Sequence, residues 1–205
     1  MTVDALALLL CSMKVMFSHP QTWNIEQCRE KAVQIKAAAE KYGIEEKFIV
    51  ADFAQECDLV DNVARPIYKT VILRNKPKRV IIGYDYCPMG IRVYDPELNR
   101  VKWTDSRLFE TSAQKMDHWR RWCARNHTGH HWISHYNEGN PHYAESVLAI
   151  RGSLDGKEPK VKLVERTAEI VKRMNCMYRR LHGKKEPPGS ICPRRMIEKI
   201  VPLKG

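Results

Sequence analysis

The chain has 205 residues, of which 43% are hydrophobic and 29% charged, and 35 Lys and Arg against 24 Asp and Glu give a formal net charge of +11. Hydrophobic content of this order at this length supports one sizeable core, and the lack of low-complexity sequence excludes disordered, collagen-like and coiled-coil classes. The positive charge favours polyanions, whether nucleic acid, anionic lipid or acidic envelope polymers, without choosing among them.

The N-terminal run Ala5 to Phe17 is apolar but follows Asp4 and is interrupted by Lys14. It has no basic leader and no A-x-A-like cleavage site, and it is shorter than the roughly 20 residues that span a bilayer. It reads as a core helix, with no membrane insertion and synthesis in the cytoplasm without a signal peptide as the expectation. Seven cysteines, Cys11, Cys28, Cys57, Cys87, Cys123, Cys176 and Cys192, form an odd set with no C-x-x-C. Such a set reads as reduced thiols.

Asn24 and Gln27 form a capping-box start, after which Ala32, Ile35, Ala39 and Tyr42 recur at helical spacing up to Gly43. A second helix is expected from about Glu45, with Ile49, Phe53 and Cys57 on one face and Glu56 in the last turn. From Ile67 to Lys102 the pattern changes to short β-rich runs. Residues 70–73 and 80–82 bracket a polar turn over Arg74–Arg79 and predict a hairpin. Residues 91–94 and 101–103 predict a second strand–turn–strand unit, with a helix opening at Gly90-Ile91 as the alternative.

Helical spacing returns from Ser106 through Leu108, Met116, Trp119 and Trp122, and again over Trp132, Ile133 and Tyr136. Gly139 is read as a left-handed stop, Asn140 as an N-cap and Pro141 as the first position of the next helix. The longest helix is expected over Lys160–Leu181, with Val164, Ala168, Val171 and Tyr178 buried. The Lys- and Pro-rich tail is expected to wrap the surface. The order predicts an α+β domain dominated by helices.

Glu56 stands out within Asp52-Phe53-Ala54-Gln55-Glu56-Cys57. It borders the apolar face of its helix and lies at the negative end of the helix dipole. Burial and the dipole both raise a carboxylate pKa, which suits a glycosidic general acid. Downstream, Tyr136-Asn137-Glu138-Gly139-Asn140-Pro141-His142-Tyr143 offers an aromatic ring, a hydroxyl and an amide suited to a sugar cleft.

These segments resemble the soluble lytic transglycosylase and goose-type lysozyme superfamily. In that family a helix ends in a catalytic Glu usually followed by Ser, a Gly-Leu-Met-Gln-like segment comes next, and a Tyr-Asn-x-Gly motif follows later. This chain offers Gln55-Glu56-Cys57, Met89-Gly90-Ile91-Arg92-Val93 and Tyr136-Asn137-Glu138-Gly139 in that order. Cys57 replaces the Ser, and no glutamine follows Gly90-Ile91.

The resemblance spans roughly residues 25–150. It implies a single lysozyme-like catalytic domain over 1–205, with a helical C-terminal extension over 160–205. It implies that Glu56 cleaves the MurNAc–GlcNAc β-1,4 bond of peptidoglycan, as muramidase or lytic transglycosylase, without cofactor or metal. The same likeness makes Tyr136, Asn137, Gly90, Cys57 and Tyr143 substrate-binding. Asp58, Asp61, Asp85 and Asp95 are positional candidates for a second acid. A chain without a signal would reach the cell wall as a bacteriophage endolysin after holin release, or as part of a virion.

Three other readings compete. An inactive lysozyme-fold wall-binding protein is suggested by the altered Cys57 and Gly90 positions. A metal-dependent nuclease is suggested by His118, His127, His130, His131 and His135, of which His131 and His135 are four apart, although no H-E-x-x-H is present. A nucleic-acid-binding module would use the positive charge, but Arg74-Asn75-Lys76-Pro77-Lys78-Arg79, Arg120-Arg121, Arg179-Arg180, Lys184-Lys185 and Arg194-Arg195 read as solvated faces and form no aromatic-interleaved stripe, so nucleic acid is not an expected partner.

Overall fold

A computed structural model describes residues 1–17, 23–59, 63–74, 76–94 and 102–185. Among the described residues, seven helical elements and a three-stranded antiparallel sheet give a mixed α+β fold in which helix predominates. The helices are α1 (Val3–Met16), α2 (Ile25–Tyr42), α3 (Glu46–Cys57), α4 (Asp105–Asn126), a 3-10 turn (Trp132–Asn137), α5 (Pro141–Ser153) and α6 (Glu165–Leu181). The strands are β1 (Ala64–Leu73), β2 (Lys76–Tyr86) and β3 (Ile91–Val93), paired in that order. Among the described residues no helix is long and apolar enough to cross a membrane.

Local chemistry explains most boundaries. Both arms of the Asn24–Gln27 capping box are made, and Gly43 closes α2 at φ 62°. Asn140 caps α5 with Pro141 in its first turn. The apolar run near the N-terminus is α1, with Leu6, Leu10 and Met13 fully buried. Helix α1 packs on α2 and α6, α2 on α4, and α3 on α5. The core thus reaches from Leu6 to Met177, beyond the span of the resemblance at both ends.

Several expectations are corrected. The hairpin is longer than expected: the ladder reaches Leu73 paired with Lys76 and runs through Pro77, paired with Ile72 at an end of β2 where β3 does not reach. Residues 91–93 form the expected strand, but Lys102 and Trp103 are not in a strand; the expected turn and Val101 lie outside the described residues. Helix α4, with 22 residues, exceeds α6, with 17. Helix α6 starts at Glu165, and its buried stripe is Thr167, Ile170, Val171, Met174 and Met177 while Val164 and Ala168 are exposed. This phase buries two methionines and lets Thr167 Oγ1 meet Ser146 Oγ at 3.1 Å. Glu138, not Gly139, is the left-handed cap, although Gly139 also has positive φ. The tail from residue 186 lies outside the described residues.

The largest correction concerns the thiols. Cys11 is bonded to Cys28 and Cys57 to Cys87, Cys176 is also disulfide-bonded, and Cys123 is free. Cysteines 17 and 30 residues apart carry no local spacing signal, so the pairing is visible only once the chain folds back on itself. Cys11–Cys28 staples α1 to α2. Cys57–Cys87 ties the last residue of α3 to the segment following β2.

Closing a loop of this length restricts the unfolded chain by about 3–4 kcal/mol in the chain-entropy account. The double substitution C57S/C87S is therefore expected to lower unfolding free energy by about that amount in urea titrations. C57S alone should produce a comparable loss; an unchanged midpoint in both variants would refute the staple.

Candidate functional site

Helix α3 supplies two carboxyl groups one turn apart. Asp52 is fully buried, whereas Glu56, in the last turn, is half-buried and opens into a cleft of about 320 Å³. The cleft is walled by Gly90, Ile91 and Arg92 on one side and by Thr111 and Lys115 of α4 on another. Tyr136, Asn137 and Glu138 complete it.

Gly90 lies against the acid. A Cβ at this position would lie 2.6 Å from Glu56 Oε2, and its φ of 59° is a left-handed conformation that side chains disfavour. Cys57–Cys87 fastens the end of α3 to the chain three residues before Gly90, so the acid and its facing wall are covalently linked. Cys57 is buried with its sulfur in that bond, which removes it from direct substrate hydrogen bonding.

Asp52 is held by hydroxyls from two other elements, with a third behind them. Ser112 Oγ of α4 donates to Asp52 Oδ2 at 3.2 Å, and the Tyr143 hydroxyl of α5 donates to Oδ1. The Tyr136 hydroxyl lies 3.0 Å from Ser112 Oγ and 3.2 Å from the Met89 carbonyl, to one of which its single proton is donated. Tyr136 and Tyr143 stack with ring centroids 6.1 Å apart and planes 6° from parallel. Tyr143 therefore supports the site from behind, and Tyr136 joins that support to the cleft surface. Asn137 is exposed on the cleft wall.

Burial dominates the electrostatics. It pushes the Asp52 carboxyl up to about 8, helped by the nearby Glu56 charge and opposed by the Tyr143 and Tyr136 hydroxyls. Burial also raises Glu56, against the Tyr143 hydroxyl and the Lys115 and Arg166 cations. Lys115 reaches over the Tyr136 ring, its Nζ 4.1 Å from the centroid, which sets an ammonium beside the carboxyl pair.

Of the positional second acids, Asp58 pairs with Arg166 at 2.9 Å and Asp85 with Arg92 at 2.9 Å. Asp61 and Asp95 lie outside the described residues. His131 accepts a backbone hydrogen bond from Ile133, and His135 stacks on Trp119 at 5.0 Å, which accounts for both members of the four-spaced pair. Among the described residues, no group of three or more His, Cys, Asp and Glu is arranged to hold a metal.

Sequence reading undervalued Asp52, Ser112, Thr111, Lys115 and Arg92. Asp52 had a signal, since it and Glu56 are acids at i and i+4 on one helix and Asp52 falls among its apolar residues. The other four had none, because their positions depend on how α4 and β3 approach α3. No family model matches the chain, and neither does any curated protein or solved structure.

The buried acid has a measurable consequence. Its folded-state pKa near 8 exceeds the ordinary value of 3.8, so the folded chain retains a proton that the unfolded chain releases. Stability should therefore fall as pH rises between about 4 and 8, by up to about 1.4 kcal/mol per unit, and level off above. Thermal melts of Asp52→Asn should show a shallower pH dependence over that window; equal slopes for the two proteins would contradict the assignment.

Proposed function

We propose that this chain is a lysozyme-like peptidoglycan glycosidase, a lytic transglycosylase or muramidase, with Glu56 as its single acid and base. The observation that carries the reading is the Glu56 carboxyl set against Gly90 in a polar cleft, half-buried at the end of a helix.

A carboxyl whose pKa is raised stays protonated to higher pH than an ordinary glutamate. In the proposed reaction it gives its proton to the glycosidic oxygen as the C1–O bond of the muramoyl residue breaks. Glu56, now a carboxylate, takes the proton from the muramoyl 6-hydroxyl as that oxygen bonds to C1, giving a 1,6-anhydro product and restoring the acid. Water in place of the 6-hydroxyl gives a reducing end by the same proton transfers. The pairing of Asp58 and Asp85 with arginines supports one carboxylate in both roles. Asn137 and Tyr136 supply amide and ring contacts to the sugars, and Lys115 stabilises the carboxylate form between the two steps.

Disulfides persist in oxidising compartments, and an enzyme of the cell wall works in one. A phage endolysin or virion-associated hydrolase would form them after leaving the cytoplasm.

Glu56→Gln is expected to lower clearing of purified peptidoglycan by a factor on the order of 100 to 10,000 while keeping the thermal midpoint. Wild-type activity in that variant would sink the proposal. Mass spectrometry of the muropeptides released by the parent assigns the product as anhydro or reducing. Gly90→Ala should displace the Glu56 carboxyl and cost activity on the order of 100-fold, with a loss of only about 1–2 kcal/mol in stability. Equal activity of Gly90→Ala and parent would argue against the contact.

A further inference from the structure

The β1–β2 hairpin is more than a wall of the cleft. Ten residues of β1 pair continuously with β2, apart from one bulge between Ile67 and Tyr68, over roughly 30 Å. Exposed positions dominate both strands. A two-stranded ribbon of this kind is marginal in water without something to pack on.

The ribbon is polarised across its width at the tip. On β1, Val71, Ile72 and Leu73 run consecutively at the free edge of the sheet, with Ile72 69% and Leu73 50% exposed. Opposite them on β2 stand Lys78, Pro77 and Lys76. Arg65, Lys69, Arg74, Lys76, Lys78 and Arg79 are the cations from Ala64 to Tyr84, and that stretch contains no Asp or Glu. None of these six makes an ion pair among the described residues; Arg79 lies over the Tyr68 ring, 4.3 Å from its centroid.

Arg65, Pro66, Lys69 and the bulge guard the base of this edge strand, and its exposed apolar tip is left to invite a partner. A second copy of the hairpin would bring like charges together, and a nucleic acid offers little to an aliphatic tip that cannot hydrogen-bond to bases. A surface that is both anionic and apolar beneath its charge satisfies both halves of the ribbon. We propose that residues 70–74 and 76–79 dock this protein peripherally on anionic phospholipid, with Ile72 and Leu73 entering the acyl boundary and Arg74, Lys76 and Lys78 meeting the headgroup phosphates. This docking does not depend on the Glu56 reading.

The test is co-sedimentation of the full chain with vesicles of phosphatidylcholine alone and of equal parts phosphatidylglycerol and phosphatidylcholine. Binding is expected only to the anionic vesicles. Each cation near such a surface contributes about fivefold, so R74Q/K76Q/K78Q should weaken binding on the order of 100-fold. I72S/L73S should weaken it at least about tenfold, while I72V/L73V keeps it. E56Q is expected to bind as the parent does, so the docking proposal and the wall-cleavage proposal fail separately. Three results would overturn docking on lipid: no binding to anionic vesicles, binding that survives I72S/L73S, or tighter binding to duplex DNA than to vesicles at the same salt concentration.

Discussion

A carboxyl group without water must be given donors, and Asp52 at zero exposure is where this structure meets that demand. The donors come from Ser112 and Tyr143, with Tyr136 behind Ser112, so α4, the 3-10 turn and α5 all converge on one position of α3. Removing any of them would leave a polar group unpaired in the core, at a cost of about 1–3 kcal/mol. The arrangement of the helices around α3 is therefore tied to the chemistry of one side chain as well as to apolar packing.

The same convergence builds the cleft. Tyr136 touches the buried network through its hydroxyl and the cleft through its ring. Glu56 follows Asp52 by one helical turn on the same face. Two acids that close in a poorly solvated place disfavour each other's ionisation, and Lys115 offsets part of that repulsion. The half-buried Glu56 thus raises the fully buried Asp52, which makes the end of α3 part of the electrostatics of its interior.

Covalent constraint replaces hydrogen bonding at one point. Where the resembled family carries a serine after its acid, this chain has Cys57, bonded to Cys87 and buried. The bond holds the end of α3 against the segment that leads into Gly90, which lies against the Glu56 carboxyl. The sheet that continues from this segment carries the exposed hairpin, so a single short stretch connects the acid, the cleft wall and the cationic ribbon.

The amino-acid sequence by itself determined the local features: the capping box at Asn24, the Asn140-Pro141 start of α5, the helix ending at Glu56, and the switch to strand period near Ile67. Each depends on residues within a turn or two of one another. It also held Glu56, Gly90 and Tyr136 as separate motifs, and the fold brings these three to one cleft. The tertiary structure alone decided the disulfide pairing, the burial phase of α6 and the role of Tyr143 as a donor to Asp52. It alone assembled Ser112, Lys115 and Arg92 around the acids. Those features depend on contacts between segments tens of residues apart, where neither period nor spacing carries information and the free energy of packing selects the partner.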